Sequence, residues 1–365
     1  MKKLGFGLMR LPKKGVRTDI EQTKQMVDRF LEAGCTYFDT AFVYPGSEPA
    51  AKKALVDRHP RESYTLATKL NAGIPGITRA MARKQFETSL ERTGAGYIDY
   101  YLLHALMEAN EGKYTKFELW DYVSELKAKG LVKHMGFSFH GGPKLLDQLL
   151  HDHPEVEFVQ LQINYADWED PKVQSRANYE VARKHGKPVV IMEPVKGGKL
   201  ADPPKEVRAL MNEAAPGASP ASWAIRFAAS LEGVMTVLSG MSTLEQMEDN
   251  LSFMTDFQPL SPDERAVLFK AQEILGRSSV IPCTACHYCT EGCPKQIPIP
   301  EIFSAMNLRL GDGQGEQAVK AYAEAAKEGH MASDCIACGQ CENACPQHID
   351  VIEKLKDCAA ALEQL

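Results

Sequence analysis

A chain of 365 residues has room for one large domain and a small one, and 44% apolar with 25% charged residues is the composition of a globular protein with a substantial core, not of a disordered chain. A net charge of −6 and an isoelectric point near 6.0 exclude the basic footprint that nucleic acid or an anionic membrane would require. The opening Met1-Lys2-Lys3-Leu4-Gly5-Phe6-Gly7 is too short and Gly-broken in its apolar run for a signal peptide, and no stretch is apolar long enough to span a bilayer, so a cytoplasmic protein without membrane partners is expected.

Taken in order, the sequence alternates short apolar runs with amphipathic stretches. Residues 4–11 read as a strand and 21–33 as a helix closed by Gly34. Further strands are predicted over 37–40, 64–69, 98–104, 133–138, 158–164, 188–193 and 234–239, with helices over 79–93, 116–129, 143–151, 172–185 and 221–230 between most of them. That rhythm, with no Gly-x-Gly-x-x-Gly turn opening the first unit, predicts an α/β fold of the closed parallel (β/α)8 TIM-barrel type over residues 1–258. At Ser261-Pro262-Asp263-Glu264 the register changes to an N-cap, a Pro at the first helical position and an acidic first turn. Residues 259–365 are read as a small, mainly α-helical domain with helices over 261–275, 317–327 and 352–365.

A barrel of this type carries its active site at the C-terminal strand ends, where Asp39, Lys69, His104, Ser138, Asn164 and Glu193 all fall. Asp39 leads into a loop that holds Tyr44. A phenol with a pKa of about 10 is a poor acid at neutral pH, but it can protonate a developing alkoxide when a neighbouring cation stabilises the phenolate. Lys69 is placed to supply that cation, Asp39 to hold the ammonium charged and in position, and His104 to orient a carbonyl oxygen. Each alone reads more readily as a rim residue or turn cap. Together on successive strand ends they suit a carbonyl that receives hydride from a nicotinamide.

These residues resemble the aldo-keto reductase superfamily through Asp39-Thr40-Ala41-x-x-Tyr44 with Ser47-Glu48, Ala67-Thr68-Lys69 and Leu102-Leu103-His104, over roughly residues 4–252. The resemblance implies Tyr44 as general acid, Lys69 and Asp39 tuning it, His104 positioning a small carbonyl substrate, and a nicotinamide nucleotide lying across the rim. It further implies carboxamide contacts around Ser138 and Gln162, and an adenine-end loop formed by Ser239-Gly240-Met241-Ser242 with Asn250. Ser138 is followed by Phe139 and His140 where the family usually has Asn, so His140 is a substitute contact. NADP(H) rather than NAD(H) is the family expectation, but Gly240 and Gln246 stand where basic residues often meet the 2′-phosphate, which leaves NAD(H) open. Beyond the seventh strand, Glu193-Pro194-Val195-Lys196 offers Glu193 and Lys196 as cofactor contacts, Lys196 either as a phosphate ligand or as a solvated loop lysine.

Eight of the ten cysteines form two runs, Cys283-x-x-Cys286-x-x-Cys289-x-x-x-Cys293-Pro294 and Cys335-x-x-Cys338-x-x-Cys341-x-x-x-Cys345-Pro346. Both have the bacterial ferredoxin spacing, in which the fourth cysteine ligates the other cluster. The predicted sets are Cys283, Cys286, Cys289 and Cys345 for one [4Fe-4S] cluster, and Cys335, Cys338, Cys341 and Cys293 for a second. Zinc is the alternative, although its four-thiolate sites pair two Cys-x-x-Cys hooks across a longer gap. Cys35 and Cys358 are read as inert packing.

Hydride moves two electrons together and an iron-sulfur cluster one at a time, and the sequence carries no flavin motif to convert between them. The first reading is an NAD(P)H-dependent carbonyl oxidoreductase whose clusters brace the rim or exchange electrons with an external carrier. The alternatives are a ferredoxin-linked reductase acting by single-electron steps, and a redox-sensing nucleotide-binding protein with little turnover.

Overall fold

The computed structural model describes residues 2–363. Eight parallel strands close into a barrel in chain order: β1 (Leu4–Gly7), β2 (Tyr37–Asp39), β3 (Thr65–Leu70), β4 (Ile98–Leu106), β5 (Val132–Phe139), β6 (Phe158–Gln162), β7 (Val189–Met192) and β8 (Val234–Ser239), with β1 pairing both β2 and β8. The predicted TIM barrel is the observed fold. Side chains alternate across each strand, so Tyr37, Ala67, Leu102, Phe158, Val190 and Leu238 fill the barrel interior while the other face packs on the helices. Gly136 on β5 is required by that filling, because a Cβ there would meet the Phe158 ring at 2.6 Å. Two residues beyond the interior layer, the same alternation turns Asp39, Lys69 and His104 inward at the rim.

Several boundaries differ from the sequence reading for local reasons. The first strand stops at Gly7 and passes into a 3-10 turn, Leu8–Arg10. The helix expected over 116–129 is two helices, Glu111–Lys116 and Leu119–Ala128, broken by Glu118 in a left-handed conformation with φ of 53°. The connection from β2 to β3 is helical over Ser47–Ala51 and continues as a π-turn through Lys52–Val56. Helix Pro262–Gly276 has the predicted capping box on Ser261 and Glu264, but it packs on the barrel: Leu268 and Ala271 share an apolar cluster with Val207, Met211 and Trp223.

The remaining tail has its own apolar core, built from helices Ile299–Asp312, Gly315–Ala325 and Val351–Leu362. The first of these was missed in the sequence, since Ile297-Pro298-Ile299-Pro300 reads as a breaker although Pro is well suited to a first helical turn. The two cysteine runs trace matching backbones, with left-handed residues at Ala285 and Ala337, His287 and Gly339, and Gln296 and His348. Each then makes a short helix, Tyr288–Glu291 and Gln340–Asn343.

Candidate active site

Lys69 is fully buried and its ammonium donates to Asp39 Oδ1 at 2.5 Å and to the Thr40 carbonyl at 2.8 Å. The same nitrogen lies 5.1 Å from the centroid of the Tyr44 ring. His104 meets that ring edge to face with centroids 5.6 Å apart. Its backbone carbonyl accepts from the Tyr114 hydroxyl, which fixes the strand end. The four predicted catalytic side chains therefore converge.

Burial pushes the Asp39 carboxyl up and the Lys69 ammonium down, and the attraction of their opposite charges opposes both shifts. Burial first, then the Lys69 charge and His140, hold His104 well below the ordinary histidine range, so its imidazole is neutral. The sequence suggests that Lys69 eases ionisation of the phenol. In the structure burial dominates, Tyr288 and Asp39 add to it, and Tyr44 is pushed well above the ordinary phenol range. Tyr44 therefore stays a protonated donor at any ordinary pH.

Asp39, Tyr44 and His104 line a cavity of about 290 Å³, with Lys69 buried behind them, that runs past His140, Gln160 and Gln162 to Gly240 and Gln246. Its outer wall belongs to the tail: Thr284, Cys286, Tyr288 and Pro346. The tail is held on the rim by Arg10 donating to the Thr284 carbonyl at 2.7 Å, Lys199 to the Ile281 carbonyl at 2.8 Å, and His348 Nε2 at 2.8 Å from the His140 carbonyl. Gly197 has φ of 65°, and a Cβ there would stand 2.7 Å from the Thr284 carbonyl oxygen, so only glycine admits this approach.

Of the residues predicted to hold a nucleotide, Gln162, Glu193, Gly240 and Ser242 line the cavity. Glu193 adopts φ of 56°, accepts from the Gly197 amide at 2.5 Å and lies 3.9 Å from Arg10; burial pushes its carboxyl up. The others are engaged elsewhere. Ser138 accepts from the Ala105 amide at 2.8 Å, which supports the left-handed turn at Ala105. Lys196 is ion-paired with the fully buried Asp167, which also accepts from Asn164 and Gln162, so it is neither a solvated lysine nor an uncommitted phosphate ligand. Asn250 donates to Ser239 at 2.7 Å, and Met241 lies in the barrel core. His140 does line the cavity, and burial pulls its pKa down to about 3.

The cysteines gather as the spacing predicts. Cys283, Cys286, Cys289 and Cys345 surround one hollow, with Ile299, Phe303 and Val351 completing its walls. Cys293, Cys335, Cys338 and Cys341 surround another, with Ile297, Ile352 and Leu355. Among the described residues no three His, Cys, Asp or Glu side chains converge on one point as ligands of a single ion. Four thiols spaced around an apolar hollow fit a cubane cluster, and they do so in both places. Cys35 and Cys358 are buried in the barrel and tail cores respectively.

The aldo/keto reductase family profile matches residues 3–272, and a 4Fe-4S dicluster domain profile matches 282–349. The chain belongs to the aldo/keto reductase family. It is an oxidoreductase with a C-terminal 4Fe-4S dicluster domain. An aldo-keto reductase of Strobilurus tenacellus is 32% identical over 210 residues, which cover 54% of this chain and 59% of that protein. One from Mycobacterium avium is 29% identical over 250 residues, covering 68% of this chain and 79% of its own length. Among solved structures, an aldo-keto reductase of Bacillus halodurans in its holo form is similar at a TM-score of 0.58 with 25% identity, over 73% of this chain and 91% of that one. A Klebsiella pneumoniae aldo/keto reductase in complex with NADP and acetate shares the fold at a TM-score of 0.60 with 20% identity, over 74% and 91%.

Sequence reasoning missed Arg10, Gln160, Thr284 and Tyr288, and the second role of Cys286 as cavity wall. Arg10 sits just past β1 and Gln160 two residues before Gln162, so strand-end position was an available signal for both. Thr284 and Tyr288 lie between cysteines of the first run, where nothing local indicates which barrel residues they will face.

Proposed function

We propose that this reductase turns a small carbonyl compound into an alcohol in the cavity between Tyr44 and Gln246, with NADP(H) or NAD(H) along the same cavity and two [4Fe-4S] clusters in the tail. Tyr44, Asp39 and His104 on that cavity, with Lys69 buried behind them against Asp39, carry the reading. A bound nicotinamide supplies hydride, and Gln162, His140, Glu193 and Gly240 are the residues to hold it; Ser138, Lys196, Ser239, Met241 and Asn250 support the walls from behind. The Tyr44 hydroxyl, held protonated, gives its proton to the oxygen as negative charge grows there. Lys69, kept charged by Asp39, stabilises the resulting phenolate, and the neutral His104 orients the oxygen before transfer.

The clusters, when bound, supply or accept single electrons; the set Cys283, Cys286, Cys289 and Cys345 adjoins the cavity and the set Cys293, Cys335, Cys338 and Cys341 lies outward, with Cys338 exposed. Cys286 in the cavity wall favours one further reading, reduction by single-electron steps with a ferredoxin or similar carrier as the outside partner. We place the domain division after Gly276 instead of at 258, because helix Pro262–Gly276 packs with the barrel. A cytoplasmic location suits this reading, and among the described residues no helix is long and apolar enough to cross a membrane.

Tyr44→Phe tests the first reading. Carbonyl turnover with NADPH or NADH should fall about 10²- to 10⁴-fold, the usual weight of a general acid, with nucleotide binding intact; unchanged turnover sinks it. Anaerobic titration with each nucleotide, following cluster absorbance, tests the second. Bleaching by a nicotinamide supports an electron path, and bleaching by dithionite alone argues against one.

A further inference from the structure

Tyr288 sits between two ligand cysteines, yet its side chain is spent on the barrel. Its hydroxyl lies 3.3 Å from His104 Nε2, and the two rings meet edge to face at 6.1 Å. Tyr44 meets the same imidazole edge to face from its own position on the cavity wall, so the neutral ring contacts two phenols that both line the cavity. His104 Nδ1 is buried and has no hydrogen-bond partner among the described residues, which leaves Nε2 as the working nitrogen. A second observation is independent of this contact. The two cysteine runs make the same backbone turns, and where the first has Tyr288 the second has Gln340. The cluster-binding turn therefore does not need a phenol, and what Tyr288 faces accounts for it better than what it helps to fold.

The geometry points to Tyr288 as a further residue of the carbonyl-binding site, its hydroxyl donating to the substrate oxygen beside His104 and Tyr44, so that the reacting oxygen is held by side chains from both domains. This rests on the carbonyl-reductase reading above. In the tautomer protonated at Nε2, His104 donates to the Tyr288 oxygen and so orients the substrate through that phenol, whose own proton is free for the carbonyl. A carbonyl oxygen has two lone pairs, and hydrogen bonds to it strengthen as it becomes an alkoxide, so a second donor beside the proton-giving Tyr44 acts mainly in the transition state.

The test uses the cluster-loaded full chain, with 4-nitrobenzaldehyde as substrate and 4-nitrobenzoate, whose carboxylate accepts the same hydrogen bonds, as a non-reacting probe read by quenching of bound NADPH fluorescence. Tyr288→Phe should lower kcat/KM about tenfold or more, chiefly in kcat, and weaken 4-nitrobenzoate about tenfold, with NADPH affinity unchanged. Replacing Tyr288 by 4-aminophenylalanine, which keeps a donor at the ring tip, should restore most of both; 4-methylphenylalanine, of the same shape without a donor, should restore neither. That pair decides the matter even if the Phe variant loses iron, since both analogues fill the space. Equal behaviour of the two analogues overturns the proposal. Failure of the underlying reading looks different: wild-type protein would not turn over the aldehyde, while 4-nitrobenzoate affinity would still separate the two analogues.

Discussion

The two cysteine runs share a backbone and differ in what surrounds them. Thr284 of the first is buried against the barrel at 3% exposure, whereas its counterpart Ile336 is 58% exposed. Cys286 lines the cavity that holds Tyr44 and His104, whereas Cys338 is exposed. Tyr288 touches His104, whereas Gln340 packs near Gly292 within the tail. The cysteine spacing specifies a pair of equivalent cradles, and the residues between the cysteines decide which cradle belongs to the active site.

Removing one ligand from each cradle should break that equivalence most visibly. Cys286→Ser is expected to disturb the cavity wall and cut carbonyl turnover on the order of 10²-fold, the scale that follows from misplacing groups around a reacting atom by an ångström. Cys338→Ser should leave turnover within a few-fold of wild type while lowering iron content similarly. Equal losses in the two variants would mean that the clusters serve only to hold the tail together.

A smaller effect is expected from loosening the contact between the first run and the barrel. Gly197→Ala places a Cβ against Thr284 at a left-handed position and should cost on the order of 1–3 kcal/mol, read as a lower thermal midpoint and faster proteolysis between the helix ending at Gly276 and the first run. Gly339→Ala, also left-handed but with nothing among the described residues near its missing Cβ, should cost only the backbone strain.

The smallest effect concerns the buried imidazole between the two phenols. Its folded pKa lies below the unfolded value of about 6.5, so the unfolded chain binds the proton more readily and stability must fall as pH drops below that value. The contribution is fully present above pH 6.5 and is lost on acidification with a slope of about 1.4 kcal/mol per pH unit for one such group. His104→Gln should flatten the dependence of the thermal midpoint between pH 6.5 and 5; an unaltered slope would mean that His104 is not held neutral by burial.

Much of this was legible because it is local. Asp39, Lys69 and His104 are each two residues past an inward-facing strand position, so strand parity alone carries them to the rim. The grouping of Cys293 with the second run and Cys345 with the first follows from spacing and Pro placement. What the sequence hid depends on partners distant in the chain. Ser138 looked available until the left-handed Ala105 claimed it, Lys196 until the buried Asp167 did, and helix Pro262–Gly276 looked like part of the tail until its apolar face met Met211 and Trp223. The upward shift of Tyr44 was hidden for the same reason, because burial is a property of the packed rim.

The most direct test of a shared site is the electron paramagnetic resonance spectrum of dithionite-reduced protein, recorded with and without saturating NADP+ or NAD+ and 4-nitrobenzoate. If the first cysteine run walls the tetrad's cavity, ligands in that cavity alter the signal of one reduced cluster and leave the other unchanged, and Cys286→Ser abolishes the response while Cys338→Ser does not. Spectra that are identical with and without ligands, at concentrations where nucleotide binding is independently measured, would contradict the account.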